Sequence, residues 1–151
     1  MLRALACGLV LLLACQAGGV PGSRLEYVGG TISKIPQGCS GRGQVTDDVY
    51  FVFYSHKASW RIPYESINFI EYGQKVNRRY LTAVLISPLF LLAKRREHFL
   101  TVGYTDEQGR RQAMVFRVDK DGIRTMLVGL EAKTGKRIDY QDDEARKAGK
   151  G

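Results

Sequence analysis

The 151-residue chain is poor in the residues that build metal sites and disulfide frameworks, with only three cysteines and two histidines. Cys39, His56 and His98 stand singly, so their spacing excludes a cysteine/histidine metal cluster. If an amino-terminal signal removes Cys7 and Cys15 is acylated, Cys39 is left without an intrachain partner. We therefore expect the domain to be held together by its hydrophobic core, with no disulfide, metal or cofactor.

The chain also has no apolar run long enough for a transmembrane helix, which takes about 20 residues. Its two uncharged apolar runs, Ala4–Ala14 and Leu81–Ala93, are 11 and 13 residues long. The composition, 44% hydrophobic and 25% charged, is that of a globular protein, and the length allows one domain.

Residues 1–17 have the pattern of a secretory signal peptide, with a positive residue, a short apolar run and small residues after it. The tetrapeptide LLAC that ends at Cys15 resembles the bacterial lipobox. That resemblance implies that Cys15 is diacylated and becomes the mature amino terminus. The alternative is simple secretion, with cleavage near Ala17 and an unmodified cysteine. Residues 18–24 are rich in glycine and predict a flexible tether.

Residues 25–138 predict one antiparallel β domain, because short aromatic and β-branched runs alternate with turn residues. Pro36–Gly43 is predicted to be a loop from its glycine, serine and proline content, and Thr105–Arg110 is predicted to be a polar turn. The predicted strands lie within Leu25–Ile35, Val49–Tyr54, Ala58–Ile62, Tyr64–Tyr72, His98–Tyr104 and Gln112–Val118.

One amphipathic helix is predicted to follow the strands. Asp121 is the expected N-cap, and Gly135 lies where a terminating glycine belongs. The charged tail, residues 139–151, has no apolar periodicity and is expected to be disordered. The apolar stripe of the helix consists of Ile123, Met126, Leu127 and Leu130.

About six strands and a terminal helix indicate a small antiparallel β-barrel or sandwich. The sequences RIPYESINFIEYG (61–73) and LVGLEAKTGK (127–136) resemble the pleckstrin-homology-like, GRAM-like superfold, in particular small exported bacterial proteins of that type. The resemblance covers about residues 25–138 and implies a binding or scaffolding module. The basic phosphoinositide-binding loop of the eukaryotic relatives has no motif match here, so no ligand residue is carried over.

An insertion, residues 74–96, separates the strands and carries six basic residues and no acid. Its uncharged centre, Leu81–Ala93, is predicted to be helical and bent at Pro88. Three interpretations stay open: a cover for one face of the barrel, a contact with an anionic membrane surface, or a docking site for a protein partner. The candidate contact residues are Lys75, Arg78, Arg79, Leu85, Ile86, Leu89, Phe90, Leu91, Lys94, Arg95 and Arg96.

No catalytic residue is predicted, because no nucleophile or orienting group is spaced to work with either histidine. Nucleic-acid binding is not expected, because the aromatic residues lie in core-like runs and the predicted export would remove the protein from most nucleic acid. The net charge of +8 favours binding to an anionic membrane surface or an acidic envelope polymer. The expected partner is an anionic membrane surface or an envelope protein. We therefore expect a non-catalytic, lipid-anchored binding or scaffolding module of the bacterial cell envelope. The alternatives are an exported subunit that docks on a protein, and a secreted enzyme that uses His56 or His98.

Overall fold

The computed structural model describes residues 22–56, 58–75, 85–86 and 97–150, with only the backbone at 85–86. The predicted signal peptide, the candidate lipidation site Cys15 and most of the tether lie outside the described residues. Most of the insertion lies outside them too.

The described chain consists of short strands followed by two helices, with one 3₁₀ turn at Tyr64–Ser66. The strands are β1 (Ser23–Gly30), β2 (Cys39–Gln44), β3 (Tyr50–Ser55), β4 (Ser59–Pro63), β5 (Ile67–Gly73), β6 (Leu85–Ile86), β7 (His98–Thr105), β8 (Arg111–Val118) and β9 (Ile138–Tyr140). The helices are α1 (Lys120–Thr134) and α2 (Asp143–Lys150).

All described strands belong to one sheet in the order β4-β3-β2-β1-β8-β7-β5-β9, and β6 pairs with β1. The pairs are antiparallel except for β5 with β9, which is parallel. The expectation of a mainly β, mostly antiparallel fold with a carboxy-terminal helix is therefore confirmed. Within the described residues the sheet is open, ending at β4 and at β9, so hydrogen bonding does not close it into a barrel.

The inner face of the sheet packs against α1 and forms the hydrophobic core. Phe116 is fully buried and lies at its centre, with ring contacts to Tyr27, Phe51 and Phe53. Aromatic side chains of this size contribute most to a small core, because each removes a large apolar area from water. The predicted apolar stripe of α1 is confirmed, since its four residues are all buried in this core.

The limits of α1 agree with the prediction at one end only. Gly135 has the left-handed φ of 67° and donates its N–H to the Glu131 carbonyl, as a terminating glycine does. The N-cap is Asp119 rather than the predicted Asp121. Asp121 instead lies in the first turn, where a carboxylate interacts favourably with the helix dipole.

Two predictions based on composition are wrong. The predicted loop Pro36–Gly43 contains most of strand β2, which pairs with β1 and β3. The tail forms β9 and α2 instead of being disordered. Small residues explain the second error, because Ala145 is fully buried and Gly149 lies against Tyr140 without long apolar side chains.

Two boundaries also differ from the expectation. Strand β1 begins at Ser23, so the last two residues assigned to the tether belong to the sheet. Within the predicted helical insertion, the backbone of Leu85–Ile86 is strand β6 and pairs with Gly30 and Gly29. The reason is that the free edge of β1 beyond β2 offers backbone hydrogen bonds at this point.

Candidate anion-binding site

The candidate contact residues of the insertion are not brought together by the described part of the structure. Lys75 is exposed just after β5, and Leu85 and Ile86 are described only as backbone in β6. The remaining candidates lie outside the described residues: Arg78, Arg79, Leu89, Phe90, Leu91, Lys94, Arg95 and Arg96.

A different pair of basic residues is juxtaposed by the sheet itself. Arg24 of β1 lies directly opposite Arg42 of β2, and Arg42 lies directly opposite Tyr54 of β3. Opposed residues of antiparallel strands have Cα atoms about 4.5–5.5 Å apart, and like charges in such positions repel each other. The two arginines therefore concentrate positive charge on the face of the sheet that points away from α1, which we call the outer face.

The two arginines line a cleft of about 330 Å³ on this face, which we call the arginine cleft. None of its lining residues is acidic. An anion in the cleft would meet two guanidinium groups and hydroxyl donors, while Asp119 and Asp121 line a neighbouring cleft that both arginines also border. The lining residues are Arg24, Ser40, Gly41, Arg42, Tyr54, Ser55 and His56.

The glycines of β2 let this strand lie close against the core. A Cβ on Gly41 would lie 2.1 Å from the Tyr54 carbonyl oxygen, and one on Gly43 would lie 2.3 Å from Leu25. Only glycine therefore fits at these two inward positions of β2. The intervening outward positions, Ser40 and Arg42, are then presented to solvent beside β1.

The existing partners of the two arginines are weak. Arg24 Nε lies 3.5 Å from Asp119 Oδ2, and both side chains are more than half exposed. Arg42 Nη1 donates a hydrogen bond of 3.0 Å to the Gly22 carbonyl oxygen. An exposed ion pair contributes at most about 1 kcal/mol, so neither contact neutralises the cleft.

A third arginine on the same face is engaged differently. Arg117 of β8 forms ion pairs with Glu26 and Glu97, the latter at 2.9 Å. Burial alone would lower the pKa of Arg117, but hydrogen bonds and charge from both carboxylates outweigh burial and raise it. The two carboxylates therefore balance the charge of Arg117, which lies beside the arginine cleft.

The two histidines occupy separate positions. His56 lines the arginine cleft beside Ser40 and Ser55. His98 Nδ1 lies 2.5 Å from Tyr72 Oη, and the two rings stack. Burial, followed by the nearby charge of Lys120, lowers the pKa of His98, and burial raises that of Tyr72 to about 12. At neutral pH the His98 ring and the Tyr72 hydroxyl are both uncharged and share a hydrogen bond.

The arginine cleft was not predicted from the sequence, because the residues of β2 were predicted to form a loop. The available signal was the alternation in CSGRGQ, where small or glycine residues alternate with polar ones. Among the described residues, no group of three or more His, Cys, Asp or Glu could hold a metal ion. No helix in the same part of the chain is long and apolar enough to cross a membrane.

Comparisons with known proteins assign this chain to no family. No family model matches it, and the search of curated proteins finds no match.

Proposed function

We propose that the chain is a non-catalytic binding module of the bacterial cell envelope that is lipid-anchored at Cys15 and holds anionic headgroups in the arginine cleft. The single observation that carries this proposal is the opposition of Arg24 and Arg42 in a cleft without carboxylates. Two like charges opposite each other on adjacent strands repel, and a phosphodiester bound between them would relieve this repulsion.

The lipid anchor and the cleft would act together. An acyl chain at Cys15 tethers the domain to the bilayer, and β1 begins eight residues later, at Ser23. A tether of this length gives a high local concentration of headgroups, so a weak electrostatic site suffices. The basic flanks of the insertion would add to the same attraction.

The strand order supports a pleckstrin-homology-like architecture for this module. Seven antiparallel strands other than β6 are followed by α1, which packs on the inner face of the sheet. We propose this architecture as an open variant of the superfold.

The experiment uses the chain from Gln16 onwards, which carries no acyl group, with vesicles of phosphatidylglycerol or of phosphatidylcholine alone. We expect co-sedimentation with the anionic vesicles only, decreasing as salt rises because exposed charges are screened. Inorganic phosphate serves as competitor. Equal binding to both lipids, or none to either, would contradict the proposal.

Two alternatives have distinct outcomes. An exported subunit that docks through the insertion would co-purify with one envelope protein after detergent extraction and would ignore headgroup charge. A secreted enzyme using His56 or His98 would lose its activity on the substitution His56→Asn or His98→Asn.

A further inference from the structure

Strand β4 is the last strand at one end of the described sheet, so one of its two edges has no neighbouring strand. The hydrogen bonds that flank β4 show how its backbone groups are oriented. At one end the Ser55 N–H donates to the Ala58 carbonyl oxygen, and at the other the Tyr64 N–H donates to the Val49 carbonyl oxygen. Both bonds are 2.9 Å long. Since bonded and unbonded residue pairs alternate along an antiparallel ladder, these two pairs fix the pairs between them.

The alternation divides β4 between its two edges. Trp60 and Ile62 belong to bonded pairs, so their N–H and carbonyl groups point to β3. The N–H and carbonyl groups of Ser59 and Arg61 therefore point to the free edge. Both residues are exposed, and neither forms a backbone hydrogen bond at this edge within the described residues. The free edge thus presents two donors and two acceptors to an incoming strand.

The free stretch is short because it is closed at both ends. Pro63 has no N–H, and its carbonyl oxygen accepts a hydrogen bond of 2.8 Å from Ser66 Oγ. At the other end the Ala58 carbonyl oxygen already accepts hydrogen bonds from the N–H and the hydroxyl of Ser55. A partner strand can therefore bond to β4 only through the residues that lie opposite positions 59 and 61.

The side chains along this edge are of two kinds. Ile62 belongs to the core and Trp60 packs against it, with its ring centroid 6.4 Å from that of Phe53, so both point to the inner face. Ser59 and Arg61 alternate with them and point to the outer face. Trp60 is only partly buried, which leaves apolar surface at the edge. An apolar partner residue opposite Trp60 would cover that surface, because cross-strand neighbours pack against each other.

The charge at the edge favours an acidic partner. The Arg61 guanidinium forms no ion pair or hydrogen bond within the part of the chain that the structure describes. Asp47, whose charge acts on Arg61, already accepts hydrogen bonds from the Val49 and Tyr50 N–H groups. A charged side chain on an edge strand opposes pairing with a strand that lacks the opposite charge. A second copy of the chain would bring another net charge of +8, whereas an acidic strand would place a carboxylate opposite Arg61.

We propose that the free edge of β4 binds an extended acidic segment of a partner protein as an added antiparallel strand. The segment places an acidic residue opposite Arg61, an apolar residue opposite Trp60 and a polar residue opposite Ser59, in that order along its chain. Strand addition of this kind takes its affinity from backbone hydrogen bonds and its selectivity from the alternate side chains. No residue of β4 lines the arginine cleft, so this inference does not depend on the proposed function.

A peptide titration tests this pairing. The probe is the acetylated and amidated hexapeptide TEFTVT, whose glutamate, phenylalanine and next threonine would lie opposite Arg61, Trp60 and Ser59. It is added to the isotope-labelled chain from Gln16 onwards, and the backbone amide signals are followed by nuclear magnetic resonance. We expect the largest shifts at residues 59–61. The absence of shifts there at millimolar peptide would overturn the proposal.

Two N-methylated forms of the peptide separate strand pairing from charge attraction, because they have the same sequence and net charge. A methyl group on the glutamate nitrogen removes the N–H that would bond to the Arg61 carbonyl oxygen. A methyl group on the phenylalanine nitrogen removes an N–H that would point away from β4. We expect the first form to bind about tenfold more weakly than the parent peptide, and the second to bind within about twofold of it. Equal binding by both forms would overturn the proposal.

A charge exchange tests the preference for an acidic segment. The peptide TKFTVT should bind the unsubstituted chain at least about threefold more weakly than TEFTVT, and the order should reverse for Arg61→Glu. Since Arg61 is exposed, this variant is expected to fold. An unchanged order would overturn the assignment of an acidic partner. Shifts at residues 59–61 on concentrating the protein alone would assign the edge to a second copy and would overturn the proposal too.

Discussion

The arginine cleft makes a quantitative prediction for charge neutralisation. Arg24→Gln and Arg42→Gln each remove one positive charge from the cleft, and Arg111→Gln removes one from an exposed position at the start of β8. All three variants have the same net charge, one unit below +8. Differences between them therefore report the position of the charge.

The expected magnitudes follow from the geometry. A basic residue near an anionic surface contributes about 1 kcal/mol. Each cleft variant should therefore bind phosphatidylglycerol vesicles about fivefold more weakly, and the double variant about 30-fold. Stability should change by less than about 1 kcal/mol. The reason is that losing the exposed Asp119 contact of Arg24 is offset by relief of the repulsion between Arg24 and Arg42.

The assay is vesicle co-sedimentation at about 0.1 M salt, where the Debye length is about 10 Å, together with urea unfolding of each variant. Val118 lies opposite Leu25, and Arg111 is seven residues away from Val118 along β8, about 23 Å. The control Arg111→Gln should therefore weaken binding less than about twofold, because that separation exceeds the screening distance. A control variant that weakens binding as much as the cleft variants do would contradict a site at Arg24 and Arg42. Unchanged binding by the double variant would contradict it too.

Four further results are expected. Gly41→Ala should lower the free energy of unfolding in urea by more than about 1 kcal/mol, because the added Cβ would lie 2.1 Å from the Tyr54 carbonyl oxygen. An unchanged unfolding midpoint would contradict the close packing of β2 at Gly41. Phe116→Ala should lower the free energy of unfolding by about 3–5 kcal/mol, measured by the fluorescence of Trp60, the only tryptophan. A decrease of less than about 1 kcal/mol would show that Phe116 is not at the centre of the core. Burial lowers the pKa of His98, so the native state favours its neutral form, and the free energy of unfolding should fall as the pH drops below 6.5. The variant His98→Gln should lose less free energy of unfolding between pH 8 and 5.5. Equal losses in the two proteins would contradict this. Intact mass of the protein from its own host should show acylated Cys15, and an unmodified start near residue 18 would remove the anchor.

The sequence predicted the strands whose apolar residues face the core and the helix that packs on them. In those elements hydrophobic periodicity and secondary structure agree, as for Ile123 and Leu130 of α1. Prediction from the sequence failed for the two elements that pack through small residues. Strand β2 is built on Gly41 and Gly43, and α2 is anchored by Ala145, and these residues carry no hydrophobic signal.

The site was less accessible to sequence reasoning than the fold. Arg24 and Arg42 are 18 positions apart, and only the register of β1 with β2 makes them neighbours. The connection between these strands, residues 31–38, is too long for a tight turn whose type would fix that register. Charge counting drew attention to the insertion instead, because its basic residues are clustered in the sequence.

The most direct test of the central claim is a nuclear magnetic resonance titration of the chain from Gln16 onwards with short-chain phosphatidylglycerol below its micelle concentration. The arginine side-chain Nε–H signals report on the guanidinium groups, and the corresponding phosphocholine lipid is the control. We expect the largest shifts at Arg24, Arg42 and the Gly41 amide, and only with the anionic lipid. Shifts of equal size at Arg111, or equal shifts with both lipids, would contradict a headgroup site in the arginine cleft.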